Sequence, residues 1–328
     1  MPALIGQKIV PLLPPTERFS VLDAGALGGG EAIRWAFLGN RLRVDGFEPN
    51  AQDCQRLNRQ AQEAGRQFFY HPVCVGRAQE TRTLHITNMP DSSSLYRPAE
   101  RRIARWKQSV NGVNFFCTTQ TVGLSRTVQV STITVDQWAR EGGVSNIDFI
   151  KLDVQGAELD ILAGAENTLQ DILAVESEVE FVPLYDEQPL FADVDAFLRI
   201  HGFMFFNFLF SHEGTYAGRM ASPVNVVYPP SPPLQARAAG QLTAADAFYM
   251  RDPLDPSWPN GKILPMAKYL KLIIIAEVCG QLEFAFELLA ALRDGTAPVS
   301  DPIQREVFGA ILKETASAYT GKPAAAPL

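Results

Sequence analysis

The run Val21-Leu22-Asp23-Ala24-Gly25-Ala26-Leu27-Gly28-Gly29-Gly30 decides the fold, and Gly46-Phe47-Glu48-Pro49 follows it. An apolar strand leads into a turn of small residues, then a helix, then a second strand that ends in one carboxylate. This unit is typical of proteins that hold a nucleotide-like ligand at the carboxyl edge of a parallel sheet. Its glycines let the backbone approach the ligand closely. Glu48 lies 25 residues beyond Asp23, where an acid can accept hydrogen bonds from both hydroxyls of a ribose.

Two classes of cofactor compete for this loop. A dinucleotide site usually reads G-x-G-x-x-G, with a helix N-terminus against the pyrophosphate. Here the first tight G-x-G is missing, and Asp23 precedes the loop. A carboxylate repels a pyrophosphate, whereas S-adenosylmethionine carries an ammonium and a sulfonium, so the loop favours S-adenosylmethionine over a nicotinamide dinucleotide. Glycine-rich turns of this kind also occur in α/β proteins that bind nothing there.

Composition indicates an ordinary globular protein of one large or two modest domains, with 328 residues, 46% hydrophobic and 20% charged. The net charge of -7 argues against a broad nucleic-acid footprint. The stretch 97–107 is locally basic and has two interpretations, a receptor for an anionic substrate or a solvated helix face.

Cysteine usage and hydropathy favour a cytoplasmic location without a membrane span. The four cysteines are far apart and form no metal-binding or C-x-x-C pattern, which suits reduced thiols. Three prolines interrupt the short apolar stretch near the N-terminus, so it does not resemble a signal peptide. The most apolar later stretch, 263–279, contains Lys268, Lys271 and Glu277, whereas a spanning helix needs about 20 apolar residues with few charges.

Strands and helices alternate along the first half of the chain, which predicts right-handed crossovers and a parallel sheet. We predict strands at 19–22, 41–47, 68–75, 149–152, 172–181 and 203–209, with helices at 30–38, 51–64, 157–169 and 194–201. The region 76–129 breaks this rhythm, although 81–86 and 128–134 read as further strands.

The predicted domain organisation has four parts: an N-terminal segment (1–15), an α/β domain (16–227), a proline-rich linker (228–240) and a helical C-terminal extension (241–328). Beyond the linker the pattern is helical only, with helices at Pro265 to Val278, at Leu282 to Leu292 and after Asp301-Pro302, where Asp301 is the expected N-cap. We expect these helices to pack on the protein or to form a homo-oligomer contact.

A second motif, Ile147 to Glu158, places ionisable side chains at the same edge of the sheet. Alternation puts Phe149, Lys151 and Asp153 on one face. A lysine in a core strand is costly unless it is paired, so Lys151 should have a carboxylate neighbour.

The following strand brings three more carboxylates, Glu176, Glu178 and Glu180, to one face. At least one should reach the cleft, and Glu178 is the strongest candidate. The alternative for Glu176 and Glu180 is that they only pair with Lys151 or meet solvent.

Together these pieces resemble the FkbM family of S-adenosylmethionine-dependent methyltransferases. The similarity lies within the first 210 residues and follows the family's order. The matching stretches are DAGALGGG (23–30), GFEP (46–49), SSSL (92–95), IDFIKLDVQGAELDILAGA (147–165), EVEFVPLY (178–185) and FLRIHGF (197–203). The middle block is quite specific, and nothing is transferred to the C-terminal helices.

The resemblance implies a class I methyltransferase (Rossmann-like) fold, a mostly parallel sheet flanked by helices, and O-methylation, since relatives act on hydroxyls of macrolides and sugars. It implies that Asp23, Gly25 and Gly28 hold the methionine end of the cofactor, Glu48 the ribose, and that Asp153 lies beside the methyl group. Gln155 stands where many relatives have glutamate, and Glu158 matches a family acid. We also expect Ala26, Pro49 and Val75 in the cofactor site.

Methyl transfer needs the acceptor oxygen, methyl carbon and sulfur in line, and a base for the hydroxyl proton. Alignment can supply roughly 7–11 kcal/mol and a positioned base about 10²–10⁴-fold. Asp153 is the first candidate base, followed by Glu178 and Glu158.

The acceptor is expected to be a small molecule or glycan with a free hydroxyl, contacted by Ser93, Ser94, Lys151 and His201. His201 has an alternative role as a helix-terminal residue beside Gly202. Asp153, Glu158 and Glu178 could instead collect a divalent cation, but no ligand spacing compels this and no metal is predicted. The competing functions are a non-catalytic module that binds S-adenosylmethionine or a glycan, and a nicotinamide oxidoreductase.

Overall fold

The structure, a computed structural model, describes residues 3–105, 109–110, 113–114, 118–209, 217–219, 241–257 and 263–320. The described strands are β1 Phe19–Ala24, β2 Leu42–Phe47, β3 Gln67–His71, β4 Cys74–Val75, β5 Thr81–Thr87, β6 Ser109–Val110, β7 Val113–Asn114, β8 Leu124–Ile133, β9 Phe149–Leu152, β10 Ala174–Glu180, β11 Met204–Leu209, β12 Ala217–Arg219 and β13 Gln241–Met250. The described α-helices are α1 Leu4–Ile9, α2 Glu31–Arg34, α3 Ala51–Glu63, α4 Glu100–Ile103, α5 Val135–Glu141, α6 Glu158–Ala163, α7 Phe191–Ile200, α8 Met266–Val278, α9 Leu282–Asp294 and α10 Arg305–Thr320.

The central sheet has the order β11-β13-β10-β9-β1-β2-β3, and β12 pairs with β13. Neighbours from β3 through to β10 are parallel, while β13 is antiparallel to β10, β11 and β12. The mostly parallel sheet predicted from the sequence is therefore confirmed. The chain proceeds from β1 towards β3 on one side and from β9 towards β10 on the other, so the order reverses between β1 and β9. Ligands bind at such a switch point, outside the carboxyl ends of the strands.

Helices cover both faces of this sheet. On one face, Phe19, Val21 and Phe149 belong to a core shared with α1, α8 and α9. On the other face, Leu22 and Ile150 belong to a core that contains residues of α5, α6 and α7. The first face is apolar only towards the amino ends of the strands; towards their carboxyl ends it carries charged side chains, and these form the site described below.

The prediction that the chain is only helical beyond the linker is wrong for residues 241–250. They form β13, which lies inside the central sheet between β10 and β11. Because this strand is buried on both faces, it lacks the clean alternation of a half-exposed strand, and its three alanines also suit a helix. The linker itself, 228–240, lies outside the described residues.

The C-terminal helices form as predicted, but Asp301 does not cap the last of them. Helix α10 begins at Arg305, and the Asp301 carboxylate accepts a hydrogen bond from the backbone N–H of Met266, 2.9 Å away. Asp301 therefore caps α8. The apolar residues of α8 and α9 are buried in the core of this chain, and an oligomer contact through these helices stays a prediction.

The region that breaks the βα rhythm contains a small separate sheet of order β4-β8-β5. The predicted third strand, 68–75, is divided: Gln67–His71 pairs with β2, whereas Cys74–Val75 pairs with β8. Asp160 of α6 anchors this small sheet, because Arg77 Nε lies 3.1 Å from its carboxylate and the Tyr96 hydroxyl lies 3.0 Å from it. The small sheet thus lies beside the carboxyl edge of the central sheet.

Of the helices in the described ranges, none is both long enough and apolar enough to span a bilayer.

Candidate active site

The loop after β1 brings three strand ends together. The backbone N–H groups of Gly25 and Ala26 donate to the Phe47 carbonyl at 3.1 and 3.2 Å, and the N–H of Asp153 donates to the Ala24 carbonyl at 3.0 Å. Gly25 has a φ of +88°, and a Cβ there would lie 1.9 Å from the Asp153 carbonyl oxygen. Only glycine fits this position. Gly28 follows in the short 3₁₀ turn Leu27–Gly29.

Asp23 is the most exceptional side chain of this loop. It is 3% exposed, and its Oδ1 atom has no hydrogen-bond partner among the described residues. Burial raises the pKa of Asp23 to about 6, although the neighbouring Lys151 ammonium acts in the opposite direction. A buried, unpaired carboxylate oxygen at a sheet switch point fits the ammonium group of a bound ligand.

Glu48 directly follows β2, at the predicted strand end. Its backbone N–H donates to the His71 carbonyl at 3.1 Å, and its Oε1 accepts from the Asn50 N–H at 2.8 Å. Burial raises the pKa of this carboxyl. The exposed Pro49 separates Glu48 from Asn50, whose side chain caps α3. The carboxylate is thereby held at the strand tip, where a ribose can meet it.

Charged side chains of three neighbouring strands lie side by side across the sheet, close to these strand ends. In the strand register Asp23 is the partner of Lys151, and Lys151 is the partner of Glu176. Lys151 Nζ lies 3.2 Å from Asp153 Oδ2, which confirms the predicted carboxylate neighbour. Burial disfavours the ammonium, but the carboxylates of Asp153, Asp23 and Glu176 outweigh it and hold the pKa of Lys151 above its usual value.

The Glu176 carboxylate pairs with Arg34 and is therefore not available to a ligand in the cleft. Both guanidinium NH groups of Arg34 donate to the Glu176 carboxylate, the second at 3.0 Å. Glu31 and Cys279 also contact Arg34. The first helix after the glycine loop is therefore tied to the middle of the sheet and to the end of α8.

Asp153 and Glu178, the predicted catalytic acids, are linked by Gln155. The Gln155 Nε2 group donates to Asp153 Oδ1 at 2.9 Å and to Glu178 Oε2 at 2.5 Å. Burial opposes ionisation of Asp153, but Lys151 and Gln155 overcome it and lower its pKa. Burial and the neighbouring carboxylates of Asp153, Glu180 and Glu158 raise the pKa of Glu178 well above its usual value. The pKa of one acid is thus lowered and the pKa of the other is raised, although one amide group joins them.

Glu158 organises the loop between the two motifs. Its Oε1 accepts hydrogen bonds from the N–H groups of Val154 at 2.8 Å and Gly156 at 3.2 Å. Burial raises its pKa to about 7. These contacts identify Glu158 as a residue that shapes the Gln155 loop, which has a φ of +60° at Gln155 itself.

The loop that contains Ser92, Ser93 and Ser94 follows β5 of the small sheet and contacts the loop that carries Gln155. Ser94 Oγ donates to the Gln155 carbonyl at 2.6 Å, and the Tyr185 hydroxyl lies 2.7 Å from the Ser92 carbonyl and 3.0 Å from Gln155 Oε1. Ser93 Oγ accepts from the Thr87 N–H at 3.2 Å. Sequence reasoning expected Ser93 and Ser94 at the acceptor; their contacts hold the loop that carries Gln155.

Three expected site residues lie elsewhere or have other contacts. His201 lies just before β11, at the amino edge of the sheet; its Nδ1 is 2.8 Å from the Phe197 carbonyl, and its own carbonyl accepts from Arg251. His201 therefore lies at the edge of the sheet opposite the glycine loop, and its contact with the acceptor stays a prediction without support from these contacts. Val75 is buried in the core with Phe47, and Ala26 is buried against Cys54, Leu57 and Tyr70.

Sequence reasoning missed Asp246. It lies on β13 opposite Glu178, and burial, with Glu176 and Asp153 nearby, raises its pKa to about 7. The available signal was an aspartate within the apolar run Ala244–Met250, because a buried acid costs free energy unless it has a partner or a function. Across the described ranges, no group of three or more His, Cys, Asp or Glu side chains has the arrangement of a metal site.

Comparison with known proteins agrees with this geometry. A sequence profile described as "Methyltransferase FkbM domain" matches residues 23–205. Among curated proteins, the chain is similar to the 2-O-methyltransferase NoeI of Sinorhizobium fredii (strain NBRC 101917 / NGR234), with 28% identity over 198 residues, which is 58% of this chain and 75% of that protein.

Among solved structures, one similar chain is the precorrin-6y C5,15-methyltransferase of Geobacter metallireducens GS-15, with a TM-score of 0.33, 10% identity, and coverage of 75% of this chain and 86% of that one. Another is TrmK of M. capricolum in complex with S-adenosyl-homocysteine, with a TM-score of 0.33, 10% identity, and coverage of 94% and 95%. Because these TM-scores are low, the fold assignment rests on the strand order and on the family match.

Proposed function

Since the chain belongs to the FkbM methyltransferase family, we propose that it transfers the methyl group of S-adenosylmethionine to a hydroxyl of a sugar, glycan or secondary metabolite. The single observation that carries the proposal is the Asp153–Gln155–Glu178 arrangement beside the glycine loop. It supports the proposal because methylation of a neutral hydroxyl needs a group that accepts the hydroxyl proton, and these two acids lie in one hydrogen-bond network.

The residues of the first loop fit the cofactor. S-adenosylmethionine supplies an activated methyl group on a positively charged sulfur. Asp23, with its unpartnered buried oxygen, suits the cofactor's ammonium, and Glu48 suits the ribose hydroxyls. Gly25 lets the ends of β1 and β9 approach each other closely, because it has no Cβ to meet the Asp153 carbonyl. All of these groups are acids or small residues, and none is a phosphate-binding cation.

The two acids have different roles in this proposal. Asp153, whose pKa is lowered, stays anionic beside the sulfonium methyl group and orients the acceptor. Glu178, whose pKa is raised, has a higher proton affinity than Asp153, and in its ionised form it receives the hydroxyl proton. This assignment exchanges the order of the two candidate bases expected from the sequence, and Glu158 takes a supporting role.

A sugar hydroxyl is the favoured acceptor. The relative NoeI is named a 2-O-methyltransferase, and the acids beside the cleft are hydrogen-bond acceptors of the kind that hold sugar hydroxyls. Lys151 lies within this cluster but pairs with Asp153, so its part is to keep that carboxylate ionised.

The test is product formation. The protein is first titrated with S-adenosylhomocysteine and, separately, with NADH by calorimetry; we expect binding of the first only. It is then incubated with S-adenosylmethionine and a panel of methyl glycosides and hydroxylated metabolites, and mass spectrometry should show the gain of one methyl group, lost when Glu178 is replaced by Gln.

Two results would overturn the proposal. Binding of NADH alone would indicate an oxidoreductase. Binding of S-adenosylhomocysteine with no methylation across the panel, and no methylated product in extracts of the producing cells, would indicate a non-catalytic binding module.

A further inference from the structure

Strand β13, which the sequence pattern did not reveal, contributes a carboxyl group to the site. In the antiparallel pairing of β10 with β13, Asp246 is the cross-strand partner of Glu178. Directly opposite residues of an antiparallel pair point to the same face, with Cβ atoms about 4.5–5.5 Å apart. Gln155 already joins Glu178 to Asp153, so the three acids lie in one row across β9, β10 and β13.

The cations near this row are already paired. Lys151 pairs with Asp153, and Arg34 pairs with Glu176. Within the described ranges no ion pair reaches Glu178 or Asp246. On its other side Asp246 is opposite Leu209 of β11. The remaining titratable groups that face the pair are acidic: Glu176 and Glu180 of β10, Asp153 after β9, and Glu158 of α6.

We propose that Asp246 and Glu178 act as one proton-accepting pair for the acceptor hydroxyl, with a single proton shared between the two carboxyl groups before reaction. This inference rests on the proposed function and adds a catalytic residue to it. As the acceptor oxygen bonds to the methyl carbon, the carbon–sulfur bond breaks and its electrons stay on sulfur. The acceptor's O–H bond breaks at the same time, and its proton goes to the remaining carboxylate of the pair. The positive charge of the sulfonium and the negative charge of the pair are both consumed.

The electrostatics agree with this geometry. Burial raises the pKa of Asp246 to about 7, the Glu176 and Asp153 carboxylates add to this rise, and Lys151 and Arg34 oppose it. Two adjacent buried carboxyl groups do not both ionise readily, and they titrate as a pair. Asp153 remains the anion of the row, because Lys151 and the hydrogen bonds with Gln155 and Glu178 lower its pKa.

The experiment compares Asp246→Asn with the unchanged protein. Without Asp246 no second carboxyl group stabilises the ionised form by sharing a proton, so Glu178 must ionise alone, and the acid limb of the kcat profile should move to higher pH by about one unit, with a lower maximum. Asp246→Ser should give the same shift, and thermal melting checks that both variants fold. Asp195→Asn is the matched control, because Asp195 contacts Tyr249 on the opposite face of the same strand, 3.3 Å away.

A second readout needs no acceptor. Infrared titration should show a protonated carboxyl signal that disappears near neutral pH in the unchanged protein and at lower pH in both Asp246→Asn and Glu178→Gln, because the single remaining carboxyl group no longer ionises next to a second negative charge. An acid limb and an infrared titration that are unchanged in Asp246→Asn would overturn the pair. If the unchanged protein methylates nothing, the proposed function fails, and the infrared titration still decides whether the pair exists.

Discussion

At the scale of single residues, Asp23 restricts most strongly which chemical group of a ligand can bind beside it. Its carboxyl group is buried, has an unpartnered oxygen, and has a pKa of about 6. A cation bound beside it would favour the ionised form and lower that pKa. The residue therefore links cofactor binding to proton release.

We predict that binding of S-adenosylhomocysteine at pH 6 releases protons from Asp23. At pH 8 the carboxyl group is already ionised in the free protein, so the release should be much smaller, and affinity should rise between pH 5 and pH 7. Calorimetry in two buffers of different ionisation enthalpy measures the release. Equal release at pH 6 and pH 8, or release that persists in Asp23→Asn, would show that Asp23 does not meet the ammonium.

Asp153→Asn should reduce kcat by about 10²–10³-fold, the range for loss of one preorganised electrostatic group beside a reacting centre. Affinity for S-adenosylhomocysteine, which has no charge on sulfur, should remain nearly unchanged, because the amide keeps the size of the side chain. Steady-state kinetics and calorimetry measure the two quantities on one preparation. Retained turnover would remove Asp153 from the reaction.

The residues that sequence reasoning located correctly are those at the ends of parallel strands. Asp23, Glu48, Asp153 and Glu178 could be placed together because such ends meet at one edge of a sheet. Asp246 could not, since its strand runs the opposite way and its pattern resembled a helix. His201 precedes a strand, and a residue at that position lies at the amino edge of the sheet. The sequence expectation had put His201 at the carboxyl edge.

At the scale of elements, the turn from β1 into α2 determines whether the cleft exists. Gly25→Ala would place a methyl group 1.9 Å from the Asp153 carbonyl at a φ of +88°. We predict loss of cofactor binding and destabilisation of at least about 1–3 kcal/mol, the cost of a strained backbone position. Calorimetry with S-adenosylhomocysteine and urea unfolding measure these two effects.

Gly30→Ala is the matched control in the same turn. A Cβ at Gly30 meets nothing within 4 Å, and its φ of -66° is helical. This change should leave binding intact and should be neutral or stabilising by up to about 1 kcal/mol. If Gly25→Ala behaved like Gly30→Ala, the close approach of the strand ends would be wrong.

Strand β9 has the predicted bounds, whereas the predicted helix 157–169 ends at Ala163. The predicted helix 30–38 is also interrupted: α2 ends at Arg34, and a 3₁₀ turn covers Ala36–Arg41 with a φ of +55° at Gly39. Apolar periodicity alone could not show this interruption, because Arg34 is held instead by Glu176, a contact distant in sequence.

At the scale of the whole molecule, the C-terminal helices are joined to the sheet by buried charges as well as by apolar packing. Lys271 of α8 is fully buried, and its Nζ lies 2.8 Å from Asp148 Oδ2 and 2.5 Å from Glu17 Oε1. Lys268 reaches the other oxygen of Asp148 at 2.8 Å. Sequence patterns could predict the helices, but not these tertiary contacts.

Lys271→Met should lower the free energy of unfolding by about 3 kcal/mol, because it leaves two carboxylates with less compensation in a buried site. Urea unfolding followed by far-ultraviolet circular dichroism measures the loss. Lys313→Met, at an exposed position of α10, is the control and should change stability little. Equal effects of the two variants would mean that the buried charges do not hold the helices to the sheet.

A crystal structure of the protein with S-adenosylhomocysteine tests the proposed site most directly. We expect the ligand's ammonium at Asp23, its ribose hydroxyls at Glu48, and its sulfur beside Asp153, with Glu178 and Asp246 on the open side of the sulfur. A cleft that stays empty at saturating ligand, or a ligand bound with these acids directed away from it, would contradict this placement of the cofactor.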